Sequence, residues 1–456
     1  MRKILNLDGK SLTVESIFSF LNEEIDEINI QTSEKGKLAG NTLHRKEELT
    51  PFNPENHVLN IGPLQDKEPS IIALILILNA SMKNGIDFSE ASKKHILNYI
   101  NKHEWPALHA ANQDEISSLS ELILVVEKSS HNGLCFSDAE RSLITEKCFF
   151  STALALWALY RSKMLVKTAD LCTAMNMEAI RGELGAFDKR LHELGRPYPN
   201  QIIVAENVRR LLDGSEFTSE KARIAYGGDH GPRCQDAICI RAVPQTHGGV
   251  RDTLSWLEKN LNCELNNVSS HINPLIGYSL DLMVIALADL GNISERRSFR
   301  LNDSGLSYGL PMNLVGENPG FNHGFPVIQA ASTAVLAELK LLALPSSAFS
   351  YINDKTNRYQ CTTSRSGLKA IQANHLLAKV LSIEVLMSAQ GMDLVRNKLP
   401  ELKFGKGTNA AYAFFRKQIK MTKTNRYAAP DMVSADKLVS EGAVLMAAEN
   451  KVGNLN

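Results

Sequence analysis

RCQDAICIRAVPQTHGGVRDTLSWLEKNLNCELNNV, residues 233–268, holds the pattern that decides the fold and the anomaly that decides the function. Its second half places Leu254, Leu257, Leu261, Leu265 and Val268 at steps of three and four. That is the spacing of one apolar stripe on a helix. The same stripe recurs at Ile328, Ala331, Val335, Leu339 and Leu342, and again at Leu376, Val380, Ile383 and Met387. Each run lasts three turns or more with polar residues between, and no period-two strand pattern of comparable length competes. The expected class is all-α, a bundle of long helices.

Composition sets the outer bounds. The 456 residues suffice for a large core and more than one structural unit. Fifty basic residues balance fifty acidic ones, so nothing favours nucleic acid or an anionic membrane surface as partner. The seven cysteines, at 135, 148, 172, 234, 239, 263 and 361, form no pair of metal-binding pairs. They read as reduced, buried thiols of a cytoplasmic protein. The N-terminal MRKILNLDGKSLTVESIF lacks the apolar core of a secretion signal, and IIALILILNA (71–80) is too short to cross a bilayer. No His-x3-His, CxxC or calcium-loop spacing occurs, so no metal is expected.

Gly and Pro mark the breaks at ELGRPYPNQ (193–201), YGGDHGPR (226–233) and GLPMNLVGENPGFNHGF (309–325). The last is long for a connection between strong helices, a common property of functional loops. The expected division is a smaller N-terminal domain over residues 1–150 and a helical bundle with C-terminal helices over 151–456.

From about residue 150 to 395 the chain resembles the histidine and phenylalanine ammonia-lyase family. The resemblance rests on QDAICIRAVPQTHGG (235–249), NNVSSHINPL (266–275), LGNISERRSF (290–299), the 309–325 loop and AELKLLALPSSAFS (337–350), in the family's order. ILNLDGKSLTVESI (4–17) and EWPALHAANQDEISSLSELILVV (104–126) match its N-terminal part more weakly. The resemblance implies a fumarase-like helical fold, a homotetramer, and a prosthetic group made from the chain. In the family an internal Ala-Ser-Gly cyclises to 4-methylideneimidazole-5-one (MIO), the electrophile that takes up the amino group or ring before ammonia leaves.

This chain departs from the family where that chemistry resides. No Ala-Ser-Gly occurs in it, and Asn112-Gln113-Asp114 aligns with the tripeptide, followed by Glu115-Ile116-Ser117-Ser118-Leu119. Without the Ser hydroxyl no methylidene forms, and without Gly the ring nitrogen cannot approach, so no MIO and no other cofactor is expected. The family's tyrosine after Gln-Asp-Pro is Ile238, its Asn-Gly-Thr is Glu146-Lys147-Cys148, and its late acid falls near Asn357-Arg358-Tyr359. The family's mobile tyrosine loop has no counterpart. Loss of even one positioned acid–base group costs about 10²–10⁴ in rate.

The residues that remain define a candidate site. Glu146, in a cavity that raises carboxylate pKa, together with His271 and Tyr359, are the candidate acid–base groups. Arg241, with a planar fork suited to a carboxylate, joins Gln235, Arg358, Asn273 and His323 as candidate substrate contacts. Each has a structural alternative: an interhelical ion pair for Arg241, a pairing with Lys147 or Arg358 for Glu146, a helix-end role for His271. His247 reads as structural. Three functions stay open. One is a prosthetic-group-free lyase, cyclase or isomerase of specialised metabolism, using acid–base chemistry on a carboxylate-bearing or carrier-linked substrate. Another is a pseudoenzyme that binds a ligand or protein partner. The third is residual aromatic amino acid ammonia-lyase activity.

Overall fold

The computed structural model describes residues 3–30, 66–82, 88–103, 105, 108, 115–130, 135–229, 233–267, 273–318, 320–349, 351–353, 358–360 and 362–456. In chain order the elements are β1 (Ile4–Leu7), α1 (Val14–Leu21), β2 (Glu27–Ile30), α2 (Glu68–Ser81), α3 (Glu90–Asn101), α4 (Glu115–Lys128), α5 (Asp138–Glu146) and α6 (Phe149–Ile180). Then come α7 (Pro199–Leu211), α8 (Glu220–Tyr226), α9 (Ile238–Arg241), α10 (Val243–Leu265), α11 (Pro274–Leu301) and α12 (Pro326–Leu342). The chain closes with β3 (Tyr351–Asn353), β4 (Arg358–Gln360), α13 (Thr363–Lys398), α14 (Lys406–Gln418), α15 (Ala429–Ser440) and α16 (Ala443–Val452). The fold is all-α: β1 and β2 form one short parallel pair, β3 and β4 one short antiparallel pair.

The chain divides into two compact units. Unit 1 holds residues 1–160, 257–280 and 345–371; unit 2 holds 161–256, 281–344 and 372–456. The N-terminal 150 residues thus fall within unit 1, joined there by pieces of the later chain.

In unit 1, α2 is apolar on every face, and Pro69 to Ser81 are all buried, as a helix without a polar face must be. Thr13 and Ser137 open α1 and α5 with reciprocal capping boxes. The end of α10 holds the start of α1: Asn262 Oδ1 accepts from Val14 N (3.0 Å) and Asn266 Nδ2 donates to the Leu12 carbonyl (2.9 Å).

In unit 2, Leu376, Val380, Ile383 and Met387 are buried on α13, and Leu254 is buried on α10; Leu257, Leu261 and Leu265 are buried on the α10 residues of unit 1. Val268 lies outside the described residues. On α12 the buried stripe runs Ile328, Ser332, Leu336, Leu339 and Leu342. The expected Ala331 and Val335 are only half-buried, because the helix turns its inward face one residue further along. A Cβ on Gly391 of α13 would lie 2.7 Å from Ala179 Cβ of α6, so glycine sets that close approach. The stretch Pro326–Phe349 and helix α11 are apolar and long enough to span a bilayer by length and composition. Most of that window of α11 is buried inside the protein, whereas Val327, Leu341, Leu344 and Phe349 are exposed.

The expectation that every cysteine is buried is corrected. Cys172 and Cys239 are buried and Cys148 half-buried, but Cys135, Cys234 and Cys263 are exposed. The described cysteines are free thiols, and Cys361 lies outside the described residues.

The deepest charges of unit 2 are an ion pair. Arg297 donates from Nε to Glu384 Oε1 (2.5 Å) and from Nη2 to Oε2 (2.8 Å), while Ser294 Oγ donates to Oε2 (2.5 Å). Both side chains are fully buried. Removing one partner of such a pair leaves a naked charge in the core. Glu384→Gln, nearly isosteric, is therefore expected to lower the unfolding free energy by about 3–5 kcal/mol, read by urea denaturation.

Candidate functional site

One carboxylate of unit 1 links the starts of three helices, α4, α6 and α13. Glu115 opens α4 directly after Asn112–Asp114, which lie outside the described residues. Its Oε1 accepts the Phe150 amide (2.7 Å) and its Oε2 the Ser151 amide (2.8 Å). The hydroxyls of Ser151 and, at 3.3 Å, Ser364 also donate to Oε2. Ser151 Oγ and Ser364 Oγ are 2.6 Å apart. The first amides of a helix have no intrahelical partner, so Glu115 caps α6 from a distant helix. It joins the start of α4 to the start of α6, which follows Glu146-Lys147-Cys148, and to the start of α13.

Glu115 is half-buried as a residue, but its carboxyl group is enclosed. Burial therefore pushes its pKa up to about 7, against the opposing pull of the Ser151, Phe150 and Ser364 donors.

The expected site residues fall as follows. In unit 1, Glu146 is the last residue of α5 and Arg358 and Tyr359 are paired with Asn353 and Ile352 across the β3–β4 ladder. The side chains of these three lie outside the described residues, as does His271 entirely. Asn273 is exposed and caps α11: its Oδ1 accepts from Leu275 N (3.0 Å). In unit 2, Gln235 is exposed, and Arg241 donates from Nε to the Asp236 carbonyl (2.8 Å). No partner of either Arg241 Nη nitrogen occurs among the described residues. Ile238, expected at the position of a family tyrosine, is 66% exposed and takes no part in core packing.

His323 is exposed, and its backbone N donates to Asn425 Oδ1 (2.7 Å). Asn425 in turn donates from N to Asn322 Oδ1 (2.8 Å) and from Nδ2 to the Phe321 carbonyl (3.2 Å). The long loop is thereby tied to residues 422–425, and Glu317 N adds a bond to the Lys423 carbonyl (3.0 Å). Tyr308, Asn313, Leu314 and Asn318 adopt positive φ in and beside this loop, with values of 58°, 61°, 52° and 50°. Such backbone persists only where the surroundings enforce it.

His247 is structural, as read: it is fully buried, with Nδ1 2.7 Å from Asp170 Oδ1. Burial lowers its pKa to about 4 despite the carboxylate. Burial alone would raise the Asp170 pKa, but Arg251, His247 and Asn207 outweigh it and hold the acid ionised.

Sequence reasoning passed over Glu115, Ser151, Ser364 and Asn425 as site residues. Only Glu115 left a trace, as an acidic residue opening a helix just behind the tripeptide position. Replacing it tests the assignment. Glu115→Ala orphans two amides at the start of α6 and should cost about 2–4 kcal/mol by denaturation. The native pKa lies above that of the unfolded chain, so folding takes up a proton between about pH 4.5 and 7. The stability that this proton confers is complete below the unfolded value and is lost as pH rises through about 7. Glu115→Gln should erase that part of the pH dependence, seen as a wild-type-minus-variant stability difference that rises toward low pH.

A family model described as aromatic amino acid lyase matches residues 142–417. Histidine ammonia-lyase of Alkaliphilus oremlandii is 33% identical over 322 residues, 66% of this chain and 60% of the relative. That of Sorangium cellulosum is 33% identical over 329 residues, 67% and 62% of the two chains. The match thus spans about three fifths of the length of these relatives. Among solved structures, tyrosine aminomutase from Streptomyces globisporus superposes with a TM-score of 0.82 at 22% identity, covering 99% of this chain and 100% of that one. Histidine ammonia-lyase from Trypanosoma cruzi gives 0.76 at 24%, covering 99% and 95%. The helical fold is theirs, and by the family match the chain belongs to the aromatic amino acid lyases.

Proposed function

We propose that this member of the family works without the MIO group, as a lyase, cyclase or isomerase acting by acid–base chemistry on a carboxylate-bearing or carrier-linked substrate. The observation that carries the reading is the absence of Ala-Ser-Gly from all 456 residues. The ring is built from that tripeptide, so the residues present do not fit the group and no step runs through it.

Two further points support a working site over an empty one. The starts of α4, α6 and α13, which flank the substituted positions, are drawn together in unit 1 by Glu115, Ser151 and Ser364. Some of the substituted positions also carry ionisable groups, Glu146, Arg358 and Tyr359, although Ile238 is inert. In this reading Glu146 and Tyr359 exchange protons with substrate, assisted by His271, and Arg358 holds a negative group near them. In unit 2, Arg241 contacts a carboxylate through its two Nη nitrogens, with Gln235 and His323 as candidate polar contacts there; Asn273 is a candidate polar contact in unit 1. The protein works as a homo-oligomer in the cytoplasm.

The second reading, a ligand-binding pseudoenzyme, draws on the exposed Ile238: an aliphatic side chain there moves no proton but leaves the surface open to a ligand.

Purified protein decides between these. The expected intact mass is that of the full sequence, with no loss of two waters and no ring absorbance in the ultraviolet. No cinnamate or urocanate should form from phenylalanine or histidine. Thermal-shift screening with aromatic and acyl carboxylates should give a stabilising ligand whose effect Arg241→Ala removes, and Glu146→Gln should abolish turnover while leaving that binding intact. A mass short by two waters sinks the proposal; binding without any turnover selects the pseudoenzyme.

A further inference from the structure

Helix α12 has two apolar sides. The inner stripe, Ile328, Ser332, Leu336, Leu339 and Leu342, is buried in unit 2. The outer side carries a second stripe: Val327, Ala330, Ala334, Ala337, Leu341 and Leu344 alternate at steps of three and four, and all are exposed. Val327, Leu341 and Leu344 are 69%, 62% and 66% exposed. No charge interrupts the stripe. Its spacing is that of a seam along which one helix packs on another.

Helix α11 lies beside α12 and runs the opposite way. Lys340 Nζ donates to Asn292 Oδ1 (3.0 Å), and Thr333 Oγ1 donates to Glu295 Oε1 (2.9 Å). A Cβ on Gly291 would lie 3.1 Å from the Leu339 side chain and 3.2 Å from that of Leu336. These contacts set the middle of the seam, between Ala334 and Ala337, level with Asn292. The exposed residues of α11 in unit 2 include Leu282, Ile285, Asp289, Arg296 and Phe299, again one stripe. The two stripes form one face about 25 Å long and about 20 Å wide, roughly 500 Å². Few monomers leave so large an apolar patch to water. Two such faces together bury about 1,000 Å², the size at which specific interfaces begin.

Lipid does not suit this face, because Asp289 and Arg296 stand within it and charge is costly in hydrocarbon. A second copy of the chain suits all of it. A two-fold axis crossing the helices at the level of Ala334 and Ala337 brings each α12 antiparallel onto its counterpart. Val327 then meets Leu344, Ala330 meets Leu341, and Ala334 meets Ala337. Alanines at the centre let the helices approach, and the larger side chains close both ends. The same axis crosses α11 at Asn292, so Asp289 comes opposite Arg296 and Ile285 opposite Phe299. Each group thus finds its complement twice, as an isologous contact requires. A parallel two-fold would set each α12 residue against itself and leave Asp289 without Arg296.

We propose that unit 2 carries a self-complementary interface, on which two copies of this chain pair antiparallel through α12 and α11 about a two-fold axis at Ala334 and Ala337. It names the surface behind the homo-oligomer of the reading above and rests on none of that reading's chemistry. Val327 follows His323 by four residues, so the Leu344 end of the second copy reaches the edge of the loop that carries this candidate contact.

Sedimentation velocity on the full chain should show a dimer, or a multiple of it, at micromolar concentration. Ala334→Glu puts a carboxylate in the seam and should weaken association at least about a hundredfold. Adding Ala337→Lys places opposite charges face to face across the axis and should recover at least about tenfold of that loss. Asp289→Arg should weaken association by a smaller factor, and adding Arg296→Asp should restore it. All four positions are exposed on the single chain, so circular dichroism should report unchanged helix content. Under oxidation, Val327→Cys alone and Leu344→Cys alone should stay uncrosslinked, whereas the double variant should form an intermolecular 327–344 disulfide. Peptide mapping identifies that bond, since Cys135, Cys234 and Cys263 are also exposed. A monomer at these concentrations, whether or not it binds neutral lipid vesicles, overturns the proposal. So does association that Ala334→Glu leaves intact, or a disulfide formed by either single variant in place of the double. Glu146→Gln should sediment like wild type, so the proposed reaction and the interface fail separately.

Discussion

A long helix begins with amides that its own turns cannot satisfy, and the start of α6 answers this with a carboxylate from α4. Glu115 reaches Phe150 and Ser151, 35 and 36 residues away in sequence, and Ser364, 249 residues away. Because one side chain satisfies all of them, the starts of α4, α6 and α13 are held together. The carboxyl is held where both protonation states are accessible near neutrality, since burial and donor bonds pull against each other.

Unit 2 uses the same device for architecture. Glu178, near the end of α6, accepts from Gly405 N (2.7 Å), Thr408 Oγ1 (2.8 Å) and Ser215 Oγ (2.7 Å), and so caps α14, whose own N-cap glycine has no side chain to do it. Its pKa too is pushed up to about 7 by burial. Arg297 with Glu384, and Asp170 with His247 and Arg251, complete a set of buried charges that each have a hydrogen-bonded counterpart. Two of the motifs that tie the chain to its family thereby acquire a structural meaning. LGNISERRSF supplies Ser294 and Arg297 to a core ion pair, and PQTHGG supplies His247 to the Asp170 cluster. Their presence speaks for the scaffold, not for ammonia elimination.

This separation explains what was legible in the sequence. Periodicity located the helices because apolar burial is a local, repeating demand: three stripes gave α10, α12 and α13, with the α12 face displaced to Leu336 by one position. The motifs gave the family because they encode contacts of that same scaffold. The polar anchors were silent. Glu115, Glu178 and Asn425 act across 35 to 249 residues of chain, and a single acid or amide has no period to betray it. Solvent exposure of Cys135, Cys234 and Cys263 was likewise invisible, since a lone thiol is compatible with either face of a helix or loop. Of the candidate contacts, Arg241 spends its Nε on the Asp236 carbonyl five residues away, a bond that no periodicity announces.

Within the proposed reading, the missing electrophile also narrows the substrate. An amine is a poor leaving group, and a proton on carbon is weakly acidic unless the charge left behind can spread. The ring serves relatives by taking up that difficulty covalently. A site limited to carboxylic acid, phenol and imidazole offers only proton transfer, which contributes about 10²–10⁴ per positioned group. That range suffices when the substrate itself supplies the activation, as a thioester or a conjugated carbonyl does by delocalising an adjacent carbanion. It does not suffice for a free amino acid whose carboxylate is already negative and resists further charge. Carrier-linked acyl groups therefore fit the chemistry of Glu146, Tyr359 and His271 better than free carboxylates do, and Arg358 is then left to hold the oxyanion that develops on the carbonyl rather than a carboxylate of the ground state.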